Sequence, residues 1–153
     1  NQKIRKEYLY KILEDKDIKN YLKNNPINGI NYHFNDNDIT DIVLDRDGYT
    51  LLVISSKLET ADSKGFKRIN EISRWAAERD MPVYWLTASF HSVIDEFVKN
   101  NGVTCAMAQT DEITLKTIVR SNPGLVLLKK GTVIKKWHVN DLPSDEQLNL
   151  ITK

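Results

Sequence analysis

The chain has one cysteine, Cys105, among its 153 residues. That count excludes an intrachain disulfide, a CxxC pair and any zinc site built from several thiolates. It also lacks an excess of charge of either sign, with 22 Lys and Arg against 21 Asp and Glu. Nucleic-acid binding therefore loses its main electrostatic support, which is concentrated positive charge. No apolar run is long enough to span a bilayer, and no signal-peptide pattern opens the chain. P-loop, GxGxxG and GxSxG motifs are absent, so nucleotide binding and serine hydrolysis are unsupported. There is no repeat or low-complexity stretch. The length suits one well-packed domain and is too short for two. The chain starts at Asn1 rather than methionine, so the expectation is that it is part of something larger.

What is present is a regular alternation of apolar segments. Ile4, Tyr8, Leu9, Ile12 and Leu13 recur at helical spacing and predict an amphipathic first helix, with Lys3, Arg5, Lys6 and Lys11 as its basic cluster. Residues 1–25 are read as an N-terminal helical segment and 26–153 as the domain. A second short helix, carrying Ile18, Tyr21 and Leu22, stops before Asn25-Pro26. Residues 26–41 are rich in Asn, Asp and Gly and read as loop with one short strand. Ile42, Val43 and Leu44 read as an edge strand, turned by Asp47-Gly48 into Tyr49–Ser55, a continuous apolar run of the kind buried on both faces. A helix is expected from about Ser63, and a strand opened by Met81-Pro82 over Val83–Thr87. The next helix carries Val93, Ile94, Phe97 and Val98 and stops at Asn101-Gly102. Val103–Ala108 reads as a strand. Asp111 caps a helix with Leu115, Ile118 and Val119, then Leu125–Leu128 and Thr132–Trp137 form a hairpin, and Pro143–Ile151 a last helix. Strands alternating with helices imply an α/β fold: a largely parallel, mixed sheet between helical layers, with a C-terminal antiparallel hairpin at one edge.

This order, with Ser121-Asn122-Pro123-Gly124 leading into the hairpin, resembles the thioredoxin-like fold over about residues 40–150. The variant it is similar to is the TlpA and ResA group, which inserts a strand and helix after the first βαβ unit. In such proteins a strand leads into a CxxC motif at a helix start. The segment Leu51 to Leu58 matches that approach without a gap and places Glu59 and Asp62 where the cysteines would stand. The proline before the hairpin is cis in that fold, and Pro123 matches it; composition alone would not predict this, since about one X-Pro bond in twenty is cis. The stretch Leu115 to Gly124, with Lys136-Trp137-His138 and Asp141-Leu142-Pro143, also resembles the soluble C-terminal part of bacterial DoxX-type membrane proteins. That resemblance implies a membrane segment preceding Asn1, attachment to the bacterial inner membrane, and the membrane domain of the same protein, or another protein or peptide, as partner. The basic residues near Asn1 favour the cytoplasmic side, the TlpA likeness the periplasm, and the side stays open.

The chemistry of the matched positions admits two readings. A helix N-terminus stabilises a thiolate, and it stabilises carboxylates equally well. Glu59 and Asp62 are thus explained as caps and first-turn acids, with an acid–base pair beside Pro123 as the functional rival. The expected binding groove comprises Leu58, Glu59, Thr60, Ala61, Asp62, Asn122 and Pro123, with Trp85 or Trp137 adding apolar surface. In the fold it resembles, backbone before the cis proline pairs with extended peptide, which requires no cysteine; the rival reading leaves Pro123 only a turn-shaping role. Cys105 reads as a buried small hydrophobe on a strand beside Val103 and Met107. The alternative makes it the nucleophile of a thiol oxidoreductase or one-cysteine peroxidase, which needs an exposed thiol of lowered pKa. His33, His91 and His138 lack paired ligand spacing, and Asp36, Asp38 and Asp41 lack the glycine and glutamate of an EF-hand loop. No metal or cofactor is expected.

Overall fold

The computed structural model describes residues 30–33 and 37–153. The helices expected over residues 4–13 and 18–22, their basic cluster and the proposed boundary at residue 25 lie outside the described residues.

Six strands form one sheet in the order β1-β4-β3-β2-β5-β6. They are β1 (Asn31–Tyr32), β2 (Tyr49–Ser55), β3 (Val83–Thr87), β4 (Ala106–Gln109), β5 (Gly124–Lys129) and β6 (Thr132–His138). The central β2, β3 and β4 run parallel, and β5 and β6 continue antiparallel beside β2. At the far edge β1 pairs antiparallel with β4, so both edges are antiparallel rather than one.

The period of two along β2 divides the core. Leu52 and Ile54 face Val43, Leu44, Leu115 and Ile118, while Leu51 and Val53 face Ile69, Ile72, Trp75 and Leu148. Helices α1 (Thr40–Leu44) and α4 (Glu112–Ile118) therefore cover one face, and α2 (Phe66–Ala77), α3 (His91–Asn101) and α5 (Asp145–Ile151) the other. This is the three-layer α/β/α arrangement, and it explains why β2 reads as unbroken apolar sequence.

Three elements differ from the expectation. The segment around Ile42–Leu44 is helix, not edge strand: Asp38 Oδ1 accepts from Thr40 N–H at 2.9 Å, and burial of Thr40, Val43 and Leu44 follows helical spacing while Ile42 is exposed. A short β-branched run cannot separate the two states by itself. The fourth strand starts at Ala106, so Cys105 precedes it. Helix α2 begins at Phe66 because Asp62 caps a separate 3-10 turn, Ser63–Gly65, accepting from Lys64 N–H at 3.1 Å. Asp111 caps α4 as expected, accepting from Thr114 N–H at 2.9 Å, and Gly102 ends α3 in the left-handed region. The hairpin turn needs Gly131 twice over: φ is +76°, and a Cβ would stand 2.7 Å from the Leu44 carbonyl oxygen.

Candidate functional site

Parallel strands β2 and β3 end at one edge of the sheet, and the loops that leave them there meet the loop entering β5. Two turns follow β2: a 3-10 turn over Leu58–Thr60, then the turn capped by Asp62. Glu59 and Asp62 thus occupy different turns and do not share one helix start. The Asn122–Pro123 peptide, which is cis, lies against them. Asp62 N–H donates to the Asn122 carbonyl at 2.8 Å, and Asn122 Nδ2 donates to the Lys57 carbonyl at 2.8 Å and to Thr60 Oγ1 at 3.2 Å. Leu58–Asp62 and Asn122–Pro123 are therefore joined as one edge. Its hydrogen-bonding is one-sided. The Asn122 carbonyl is already used by Asp62, whereas the Asn122 N–H makes no bond among the described residues.

Ser89, which sequence reasoning missed, locks the first turn. Its Oγ accepts from Leu58 N–H at 2.9 Å and donates to Glu59 Oε1. The Ser89 carbonyl accepts from Gln109 Nε2 at 2.8 Å, which fixes the loop to β4. No pattern in one sequence marks Ser89, because its partners lie 31 and 30 residues away. The hydrogen bond from Ser89, with Glu59's own backbone N–H, holds the Glu59 carboxyl below its usual range. Asp62 is lowered by the Lys64 backbone N–H and side chain, and Glu112 by its bond to Lys116. All three carboxyls are thus stabilised as anions by local partners. Glu59 is held by the Ser89 hydroxyl and Asp62 by Lys64, with His138 acting on Asp62 through space, so each carboxyl has its own local partner.

Trp85 and Trp137 supply no groove surface. Trp85 is fully buried, stacked edge-on with Phe66 and Phe97, and donates Nε1–H to Ser55 Oγ at 2.9 Å; Trp137 is buried too. The exposed aromatic at this edge is Phe90, 79% exposed beside Ser89. Cys105 lies apart, partly buried against the core and lining a pocket with Ser73, Arg74 and Ala77 of α2, and burial pushes its thiol up to about 11. The neighbouring Ser73 hydroxyl, which makes no full hydrogen bond, offsets this only in part. The histidines are less scattered than the spacing suggests: His33 Nε2 is 2.7 Å from Asp95 Oδ1, and His33 and His91 bring their Nδ1 atoms within 2.7 Å. His138 Nδ1 accepts from Asn140 N–H in a local turn. Of the three aspartates, Asp38 closes a local turn ahead of α1 by accepting from Thr40 N–H, Asp41 lies in the first turn of α1, and Asp36 lies outside the described residues.

No family model matches the chain, and no curated protein matches it. Solved structures do. A thioredoxin-like protein from Aeropyrum pernix superposes with a TM-score of 0.58 at 14% identity, covering 87% of this chain and 92% of that one. A candidate protein disulfide isomerase from Bacteroides thetaiotaomicron gives 0.59 at 14% identity, covering 82% of each chain. A secreted Mycobacterium tuberculosis disulfide oxidoreductase homologous to E. coli DsbE gives 0.56 at 11% identity, covering 80% of this chain and 91% of that one. The chain has the thioredoxin-like α/β fold. Identities this low carry the fold alone. Among the described residues no helix is long and apolar enough to cross a membrane.

Proposed function

We propose that this domain is an interaction module without dithiol chemistry, carried by a membrane-associated protein, and that it binds an extended peptide or its own membrane domain along the edge formed by Leu58–Asp62 and Asn122–Pro123. The observation that carries the reading is the hydrogen-bonded junction of these two segments, at the place where the fold it resembles has a dithiol and this chain has Glu59-Thr60-Ala61-Asp62. The free Asn122 N–H can donate to a carbonyl of an extended ligand, which is the kind of bond strand addition uses. With the Asn122 carbonyl already engaged, the ligand pairs through one bond at this residue, and side-chain pockets must supply the rest of the affinity. Attachment to a membrane rests on the DoxX-type likeness of residues 115–143.

The oxidoreductase alternative would work through Cys105. A thiol raised to about 11 is a poor nucleophile at neutral pH, and Cys105 stands away from Pro123. The test is Pro123→Ala, assayed for binding to the membrane domain that accompanies the chain, with circular dichroism to verify the fold. Binding is expected to weaken several-fold. Unchanged affinity in a folded variant overturns the groove.

A further inference from the structure

Beside the proposed edge, on the α4 face of the sheet, is a cavity of about 310 Å³. Its deep wall is apolar, made by Ile54 and Leu115, both buried, with Val119 beside them. Its mouth is cationic, because Lys116 and Arg120 are the exposed members of the lining. Lys116 is committed, bonded to Glu112 at 2.9 Å one helical turn earlier. Arg120 has no carboxylate within ion-pair distance among the described residues. Asn122 belongs to both features: its Nδ2 bonds hold the edge together, and the residue also lines the cavity, while its buried Oδ1 receives no donor.

Resting on the peptide-binding reading above, we infer that this cavity takes the last residue of a bound chain: an aliphatic side chain against Ile54, Leu115 and Val119, and a free α-carboxylate at Arg120. The volume is at the lower limit of ligand pockets, of roughly 300 Å³, so it suits one side chain rather than a cofactor. A guanidinium pairs with a carboxylate through a bidentate fork, which a neutral amide cannot reproduce. Continuity through Asn122 makes the ligand run along the edge and end in the cavity.

The experiment is fluorescence anisotropy on the full chain, using a fluorescein-labelled pentapeptide that ends in leucine with a free carboxylate. Its C-terminal amide and unlabelled octanoate serve as comparison ligands. The free acid is expected to bind about 10- to 100-fold more tightly than the amide, the range for losing a hydrogen bond to a charged group. Arg120→Ala should lose the same factor and erase the acid–amide difference, while Arg120→Lys should restore part of it. Equal binding of acid and amide, or no effect of Arg120→Ala, overturns the proposal. If binding then still falls with Pro123→Ala, the groove survives and only the terminal pocket fails. Absence of binding by any peptide overturns both. Arg120-dependent displacement by octanoate as effective as by the peptide also overturns it, since the site would then read an aliphatic carboxylate without a peptide.

Discussion

At the residue scale the site is decided by small polar groups. Ser89 satisfies the buried Leu58 N–H and anchors Glu59 in one hydroxyl. Ser89→Ala should cost about 1–3 kcal/mol, because a buried donor is left without a partner, and should return the Glu59 carboxyl toward its ordinary range. Chemical denaturation and carboxyl titration by NMR read the two effects. Loss below about 0.5 kcal/mol would mean that water replaces the hydroxyl. Cys105 gives a second test. Its iodoacetamide reaction should be slow at neutral pH and gain speed only as pH approaches about 11. A midpoint below about 8.5, the ordinary thiol value, would bring the oxidoreductase alternative to the front. Neither Ser89 nor the one-sided bonding of Asn122 was legible beforehand. Both depend on which loops meet, and a single sequence does not record that.

At the scale of elements, the turn before α2 is closely constrained. Gly65 is buried at its end, and a Cβ there would lie 2.5 Å from Val139 Cγ2 in the turn that follows β6. That turn is itself tied to the loop before β5, since Val139 N–H donates to Ser121 Oγ at 2.8 Å. Gly65→Ala should therefore destabilise by about 1–3 kcal/mol through overpacking. The double variant with Val139→Ala should be no less stable than Val139→Ala alone, because the clash is gone. If Gly65→Ala costs the same in both backgrounds, the close approach is not the cause. Of the elements, β2, β3, α3 and the hairpin matched their sequence patterns closely, since burial on both faces and the Gly102 stop are strong local signals. Ile42–Leu44 misled because three apolar residues fit either period, while the Asp38 turn onto Thr40 N–H leads into a helix.

For the whole molecule, the shifted groups define both limbs of a pH–stability profile. Glu59, Asp62 and Glu112 are lowered on folding, so their contribution is present above the ordinary carboxyl range of about 4 and is lost as pH falls through their folded values. Cys105 is raised, so its contribution is complete below the ordinary thiol value and is lost as pH climbs from there to about 11. Denaturation midpoints should be flat near neutrality and fall on both sides, with Ser89→Ala shallower on the acid limb and Cys105→Ser on the alkaline one. Unchanged midpoints between neutral pH and pH 3 would contradict the local stabilisation of these carboxylates. Composition and order were enough to point to an α/β fold without a dithiol, because cysteine count, apolar period and turn residues are local properties. The tertiary structure alone decided that Asn122 binds Lys57 and Thr60, that Trp85 is core while Phe90 faces solvent, and that Arg120 overlooks an apolar cavity. These pairings depend on loops brought together by the crossovers of a mixed sheet, and sequence separation carries no record of that proximity.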